Sequence, residues 1–209
     1  MMKRLAIGIV GAASLVALAL AQGVNTVPQT GVITTFNTQL ATYSSVARAL
    51  PPAASATDIA CIAGSASKTI AVRKIRISGT AGTLVSVPFT LVRRAAVNTG
   101  GTAATTTANW ANNIAKMDTT SGTAAATLIS YSANPTITDS SPTYVRSDYA
   151  TLPVTSAGTS IAPIVWHFGE WYYSQPLMLR GAAEQACINL NGVTVSSGLI
   201  HAAIEWTEQ

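Results

Sequence analysis

Charged residues are scarce in this sequence: they make up 10% of its 209 residues, where about a quarter is usual. The net charge is +4, and the basic residues are scattered, whereas a nucleic-acid footprint requires a dense basic stripe. We therefore expect no nucleic-acid partner. So little charge also suits a surface that other subunits cover, because free monomers usually carry more charge.

Residues that commonly catalyse reactions are equally scarce. No motif pairs either histidine, His167 or His201, with a nucleophile, so we expect each to be packed or solvated on a strand. Glu170 and Glu205 lie near strand ends and could face each other as glycosidase carboxylates do, but no pattern requires it. The sequence has no GxSxG, P-loop, dinucleotide or calcium-loop motif. We predict that the protein is not an enzyme, with no catalytic, cofactor-binding or metal-ligating residues.

The chain has two cysteines, Cys61 and Cys187, and it has neither a CxxC motif nor a Cys/His cluster. Their spacing therefore argues against a zinc site. Both lie in apolar, strand-like runs, DIACIAG and EQACINL. They are either two buried small apolar side chains or one disulfide, and the second requires that the two strands be neighbours.

The only long apolar run is at the N-terminus, from Met1 to Ala21. Lys3 and Arg4 precede about 17 uncharged residues, which end in a small-x-small tripeptide, Ala19 to Ala21. This pattern predicts a secretory signal peptide. The alternatives are an apolar arm or a short membrane anchor, since such a run spans roughly 25 Å of a bilayer core of about 30 Å.

The rest of the chain is rich in Thr, Val, Ser and Gly, a composition that favours strands and tight turns. Residues 22–56 are predicted to form an extended arm or linker with one short strand, GVITTF, and to end near Pro51-Pro52. From Thr57 onward, about eight or nine short alternating runs predict an all-β, antiparallel, jelly-roll-like β-sandwich over residues 57–209. An immunoglobulin-like topology is the rival.

Four local features carry finer predictions. In KTIAVRKIRISG the apolar phase switches near Arg73 and Lys74, which predicts a β-bulge. Pro88 predicts an edge position or a kink in its strand. A short helix is expected over roughly residues 108–116, with Trp110 and Ile114 pinning it to the sandwich. Asn191-Gly192 predicts a turn.

An aromatic cluster stands out in the run WHFGEWYYSQP. Such clusters anchor subunit interfaces or stack on sugar rings, and they also pack into cores. We keep all three interpretations, with an interface ahead of glycan contact. The residues concerned are Trp166, Trp171, Tyr172 and Tyr173.

Four runs resemble small β-rich proteins that tailed phages and prophages encode: KTIAVRKIRISGTAGT, FTLVRRAAVNTGGT, YSANPT and LRGAAEQACINLNGVTVSSG…IEWTEQ. The resemblance covers about residues 58–209 and is most specific in the last run. It implies a virion component with a jelly-roll domain, commonly trimeric, and it supplies no catalytic residues.

The expected function is therefore that of a virion structural protein. It would be a head decoration, minor capsid or spike subunit that acts through self-assembly. Its partners would be itself, as a homotrimer or lattice, and other virion or surface proteins, with a membrane contact through residues 1–21. The alternative is a secreted or cell-surface bacterial β-sandwich, either a binding and adhesion module or a filament subunit.

Overall fold

The computed structural model describes residues 28–29, 32–33, 40–139, 141–157, 162–170 and 174–209. The chain divides into two compact units, Met1–Gln39 and Leu40–Gln209. In the first unit, strands β1 (Pro28–Gln29) and β2 (Val32–Ile33) pair antiparallel, and β2 falls in the predicted GVITTF strand. The hydrophobic segment predicted over residues 1–21 lies outside the described residues.

The second unit is all-β and consists of two antiparallel sheets packed together, which confirms the predicted β-sandwich. Its strands are β3 (Ala41–Leu50), β4 (Ala56–Ala63), β5 (Ile70–Thr80), β6 (Val85–Arg94), β7 (Thr102–Ala103), β8 (Ile114–Lys116), β9 (Thr127–Ala133), β10 (Thr143–Leu152), β11 (Ile164–His167), β12 (Leu177–Leu179), β13 (Gln185–Val193) and β14 (Leu199–Glu208). The first sheet has the order β10-β6-β13-β4-β9-β7. The second has the order β11-β5-β14-β3-β8, and β12 also pairs with β5.

The core lies between the two sheets, because alternate residues of each strand point to the same side. Tyr43 of β3 and Trp206 of β14 stack there with ring centroids 5.6 Å apart. Burying a large apolar side chain contributes about 1.5–3 kcal/mol, so these layers supply most of the stability. The largest fully buried side chains are those of Trp110, Trp206, Tyr43, Phe89, Leu50, Ile59, Ile62, Ile70, Ile75, Ile77, Leu91 and Leu152.

Strand β3 corrects the predicted domain boundary. Residues 22–56 were expected to form an arm or linker, but β3 pairs with β14 on one side and with β8 on the other. Its buried positions include Ser45 and Ala47, so its sequence shows no clear apolar alternation. The Ser45 hydroxyl satisfies its polarity by donating to the Trp110 carbonyl at 2.6 Å. The sandwich therefore begins at β3 rather than at Thr57.

The bulge predicted near Arg73 is confirmed. In the pairing of β5 with β14, Lys74 is opposite Glu205 and Val72 is opposite Trp206, so Arg73 is the extra residue. One inserted residue reverses the side to which later residues point. The apolar residues on both sides of Arg73 can therefore face the core.

Pro88 occupies an interior strand, so the predicted edge position is wrong for β6 as a whole. Strand β6 pairs with β10 from Val85 to Arg93, but its pairing with β13 begins only at Thr90. At Pro88 the described residues therefore provide a ladder on one side only. Locally the position resembles an edge, and the missing N–H breaks no hydrogen bond of the sheet.

The helix expected over residues 108–116 is also wrong. One 3-10 turn, Thr106–Ala108, ends where the helix was to begin, a second, Trp110–Asn112, lies in its first half, and β8 follows. The side chain of Asn109 accepts hydrogen bonds from the backbone N–H groups of Ala111 and Ser130, and such bonds compete with helix formation. Trp110 does pin this segment, because it is buried and its Nε1 donates to the Ala202 carbonyl at 2.9 Å.

At Asn191-Gly192, where a turn was predicted, the pairing of β13 with β4 is interrupted and then resumes. Both residues have positive φ, 52° and 79°, as the Asn-Gly pair favours. In the pairing with β4, Asn189 is opposite Asp58 and Val193 is opposite Ala56. Three residues of β13 therefore face one residue of β4, and the strand continues past them.

Candidate functional site

A buried polar cluster lies on the first sheet, apart from the main core. We call it the Asp58 cluster and define it as Asp58, Arg94, Asn98, Asn189 and the neighbouring cysteines. Asp58 lies on β4, Asn189 lies opposite it on β13, Arg94 ends β6, and Asn98 follows in the next loop. Each of the four polar side chains is 7% exposed or less, so their charges and amide N–H groups depend on partners within the protein.

Cys61 and Cys187 form a disulfide, which decides between the two alternatives left open by the sequence. Strands β4 and β13 are antiparallel neighbours, and their register places the two cysteines directly opposite each other. Their Cα atoms are 4.1 Å apart. Tyr131 and Ile129 of β9 pack against the bond in a small apolar cluster of their own. The disulfide therefore ties two interior strands of one sheet together.

The Asp58 carboxylate accepts four hydrogen bonds. Arg94 donates to both oxygens, with Nε 2.6 Å from Oδ2 and Nη2 2.9 Å from Oδ1. The Nδ2 groups of Asn98 and Asn189 donate to Oδ2 and Oδ1, each at 2.6 Å. A bidentate, charge-assisted pair of this kind is among the stronger hydrogen-bonding arrangements in proteins. The carboxylate is fully occupied, so its geometry serves structure rather than proton transfer.

Three potential metal ligands meet in the same cluster. One ligand atom from each of Asp58, Cys61 and Cys187 lies within 4.8 Å of the others. Metals are bound by thiolate sulfur, and here the two sulfurs are bonded to each other. The carboxylate is already neutralised by Arg94 at 2.6 Å. These residues therefore do not fit a metal ion in the disulfide-bonded state.

Asp139 fixes a loop beside this cluster. Its carboxylate accepts hydrogen bonds from the backbone N–H groups of Ala95 at 2.7 Å and Ser141 at 2.9 Å. Its carbonyl lies 3.5 Å from Nη1 of Arg94. The bonds from Ala95 and Ser141, with the nearby charge of Arg94, hold the pKa of the Asp139 carboxyl below its ordinary value of 3.8. The loop after β6 is thus coupled to the segment that precedes β10.

This geometry predicts a loop that loosens in acid. Because the pKa of Asp139 is lower in the folded state, its contribution is present above pH 3.8 and is lost as the pH falls through the folded-state pKa. We expect the amides of Ala95 and Ser141 to lose hydrogen-exchange protection, corrected for intrinsic rates, below about pH 4. The variant Asp139→Asn should lack this transition. Equal protection in both proteins at every pH would contradict the assignment.

Of the four aromatic residues predicted as contact residues, the structure describes one, Trp166. Trp166 is 4% exposed and belongs to the core, and its Nε1 donates to the Asp148 carboxylate. The interpretation of Trp166 as an interface or glycan contact is therefore wrong, because a buried indole has no free face. Trp171, Tyr172 and Tyr173 lie outside the described residues, so their prediction stays open.

The two glutamates singled out in the sequence flank two basic residues, His167 and Lys74, on the second sheet. His167 is opposite Lys74, and Lys74 is opposite Glu205 on its other side. Glu170 pairs with the His167 imidazole, and Lys74 Nζ is 3.5 Å from Glu205 Oε1. Side chains of these pairs are 36–55% exposed, and surface pairs contribute little to stability. Each carboxylate has its own basic partner, a pattern typical of a solvated face.

His201 lies elsewhere on the same sheet, opposite Ser78. Its Nδ1 accepts a long hydrogen bond of 3.4 Å from the Ala49 backbone N–H. The two histidines therefore have different partners: His167 contacts Glu170, and His201 contacts Ala49.

Sequence reasoning missed the exposed face of strand β10. Tyr144 and Tyr149 are 67% and 76% exposed, and they are the exposed aromatic side chains among the described residues. The signal was present in the run PTYVRSDYATLPV, where tyrosines alternate with small and charged residues. The sequence alone does not show which parity of such a run faces solvent.

Comparison of the chain with protein-family models, with curated proteins and with solved structures gives no significant match. Within the described ranges, no helix is both long and apolar enough to cross a membrane. The features of this chain that bear on its function are therefore its fold, its disulfide and its exposed strand edges.

Proposed function

We propose that this protein is a virion structural subunit, a head decoration, minor capsid or spike protein, that acts through self-assembly. The observation that carries the proposal is the strand order of the sandwich. The low charge and the disulfide support it further. The resemblance of four sequence runs to small phage-encoded proteins points in the same direction.

The strand order supports a jelly roll within the β-sandwich. Eight strands form the two central sets, β3-β14-β5-β11 and β4-β13-β6-β10. Numbered along the chain, the sets have the orders 1-8-3-6 and 2-7-4-5, the interleaved arrangement of a jelly roll. Viral capsid domains commonly use this fold. The remaining short strands, β7 to β9 and β12, add to the edges of this framework.

The immunoglobulin-like alternative fits the connections less well. In that fold the first two strands lie in the same sheet. Here β3 and β4 lie in different sheets, as do β4 and β5. Repeated crossing from one sheet to the other is what two interleaved Greek keys require.

The disulfide supports an exposed, oxidising location. Disulfides persist on secreted proteins and on virion and cell surfaces, and they are rare in the cytosol. The same observation favours the second candidate, a secreted or cell-surface bacterial binding module or filament subunit. Jelly-roll domains also occur in lectins, so the two candidates differ in partner rather than in architecture.

Localisation on particles separates the two candidates. Particles released by cells that encode the chain would be purified and labelled with gold-conjugated antibody for electron microscopy. The proposal predicts label on the particles and an associated species for the purified protein in light scattering. A monomeric protein found in the supernatant but absent from particles would overturn it.

The variants Trp171→Ala and Tyr172→Ala would then show whether the aromatic segment contacts another subunit or a glycan. Loss of association with unchanged glycan binding indicates a subunit interface. Loss of saturable binding on a glycan array, with association unchanged, favours the binding module.

A further inference from the structure

Strand β10 is a long edge strand of the first sheet. It is the terminal strand in the sheet order, and among the described residues only β6 pairs with it. It runs for ten residues and contains neither proline nor lysine, the residues that often block edges. Its exposed tyrosines, Tyr144 and Tyr149, are of a residue type enriched at protein interfaces. Within the described part of the chain, the outer backbone donors and acceptors of β10 therefore pair with no other strand.

Pro88 identifies which backbone groups face the free side. Pro88 is opposite Tyr149 in the β6–β10 pairing, and proline has no N–H to donate. This pair must therefore be of the type that exchanges no hydrogen bonds between the two strands. The N–H and C=O of Tyr149 point outward instead. By the alternation of a strand, those of Ser147 and Thr151 point outward as well.

We propose that β10 pairs antiparallel with β10 of a second copy of this chain, with a two-fold axis at Ser147. This inference rests on the self-assembly part of the proposed function and names one contact of it. In this register Ser147 is opposite its own symmetry mate. Arg146 of each copy is opposite Asp148 of the other, so the two-fold creates two identical pairs of opposite charge.

The charges select this register over its neighbours. A two-fold at Tyr149 would place Asp148 opposite Ala150 and Arg146 opposite Leu152. A parallel, in-register pairing would place Arg146 opposite Arg146, and like charges facing each other across strands are destabilising. Arg146 and Asp148 thus discourage indiscriminate edge pairing while permitting one specific partner.

Arg146 and Asp148 each contact a residue of their own chain on the same side of β10. Arg146 lies over the Phe168 ring, 5.8 Å from its centroid, and the Asp148 carboxylate accepts from Trp166 Nε1. These contacts orient the two side chains before association. The bulge between Tyr144 and Arg146 ends the regular ladder on each side, so the contact is short and centred on Ser147.

Charge reversal tests the register in the full chain. Arg146→Asp and Asp148→Arg should each weaken self-association at least tenfold in sedimentation velocity, because each places like charges opposite one another. An equimolar mixture of the two variants should associate again. In the mixed pair the introduced acid faces the introduced base, and native Asp148 faces native Arg146. Circular dichroism melts verify that both variants are folded.

A thiol crosslink tests the same axis without altering charge. In Ser147→Cys the two Cα atoms would be about 5.5 Å apart across the two-fold, within disulfide range, so mild oxidation should yield a covalent dimer. Thr151→Cys is the matched control on the same edge. Its copies would lie roughly 27 Å apart and should not crosslink.

The outcomes separate this contact from the proposed function. Association that persists in both reversed variants, or crosslinks that form equally at positions 147 and 151, would overturn the β10 contact and leave self-assembly standing. A wild-type protein that stays monomeric at every concentration and is absent from particles would overturn both.

Discussion

Replacing Cys61 and Cys187 together by alanine should lower the free energy of unfolding by about 3–5 kcal/mol. The bond joins residues 126 apart in sequence, so its loss releases a large loop in the unfolded chain. Chain-entropy arguments give about 4.7 kcal/mol for a loop of 100 residues. Both side chains are also fully buried, so smaller alanines leave unfilled space. Denaturant unfolding at equilibrium measures the change.

Two controls make this result specific. The double variant leaves no free thiol, so a reducing agent should not change its stability. The wild-type protein in the same reducing agent should approach the double variant once it has been unfolded and refolded. A loss below 1 kcal/mol would mean that the bond constrains little, and the role assigned to it would be wrong.

Asp58→Ala should cost about 3–5 kcal/mol, because it leaves the buried guanidinium of Arg94 without an anion. The side chains of Arg94 and Asp58 are 3% and 0% exposed, so bulk solvent does not reach the guanidinium to replace the lost carboxylate. Asn98 and Asn189 would lose an acceptor as well. Urea unfolding at neutral pH measures the effect.

A double-mutant cycle tests whether the loss of stability in Asp58→Ala comes from the unpaired charge of Arg94. Asp58→Ala combined with Arg94→Met should be less destabilising than Asp58→Ala alone, because the unpaired cation is removed. Asp58→Asn keeps the shape and one acceptor, so it should lie between the wild type and Asp58→Ala. Simple additivity of the two single changes would contradict the pairing energy assigned to Asp58 and Arg94.

The sequence predicted those parts of the fold that depend on local pattern. Alternation identified most strands, and the change of phase at Arg73 identified the bulge, because one inserted residue leaves a readable trace. The Asn191-Gly192 pair predicted the left-handed backbone but not its use inside a strand. Strand β3 was missed because Ser45 and Ala47 are buried through a hydrogen bond and tight packing rather than through apolar bulk.

The buried cluster could not be predicted from local pattern, because its members meet only through tertiary pairing. Asp58 and Arg94 are 36 residues apart, and no motif links them. The disulfide stayed open for the same reason, since it depends on β4 and β13 being neighbours. The sequence did contain a clue to the pairing of Asp58 with Arg94. Each of them lies near the end of an otherwise apolar strand, where a buried charge without a partner is costly.

The disulfide also determines how the sandwich would respond to mechanical force. It closes a covalent ring from Cys61 to Cys187, so tension applied at Leu40 and Gln209 bypasses every strand inside the ring. The load falls on β3 and β14, where Ala41 is opposite Glu208. These ends are adjacent, so the two strands would unzip one residue pair at a time. The sandwich would yield at its termini, while the disulfide would keep the backbone between Cys61 and Cys187 from being pulled out.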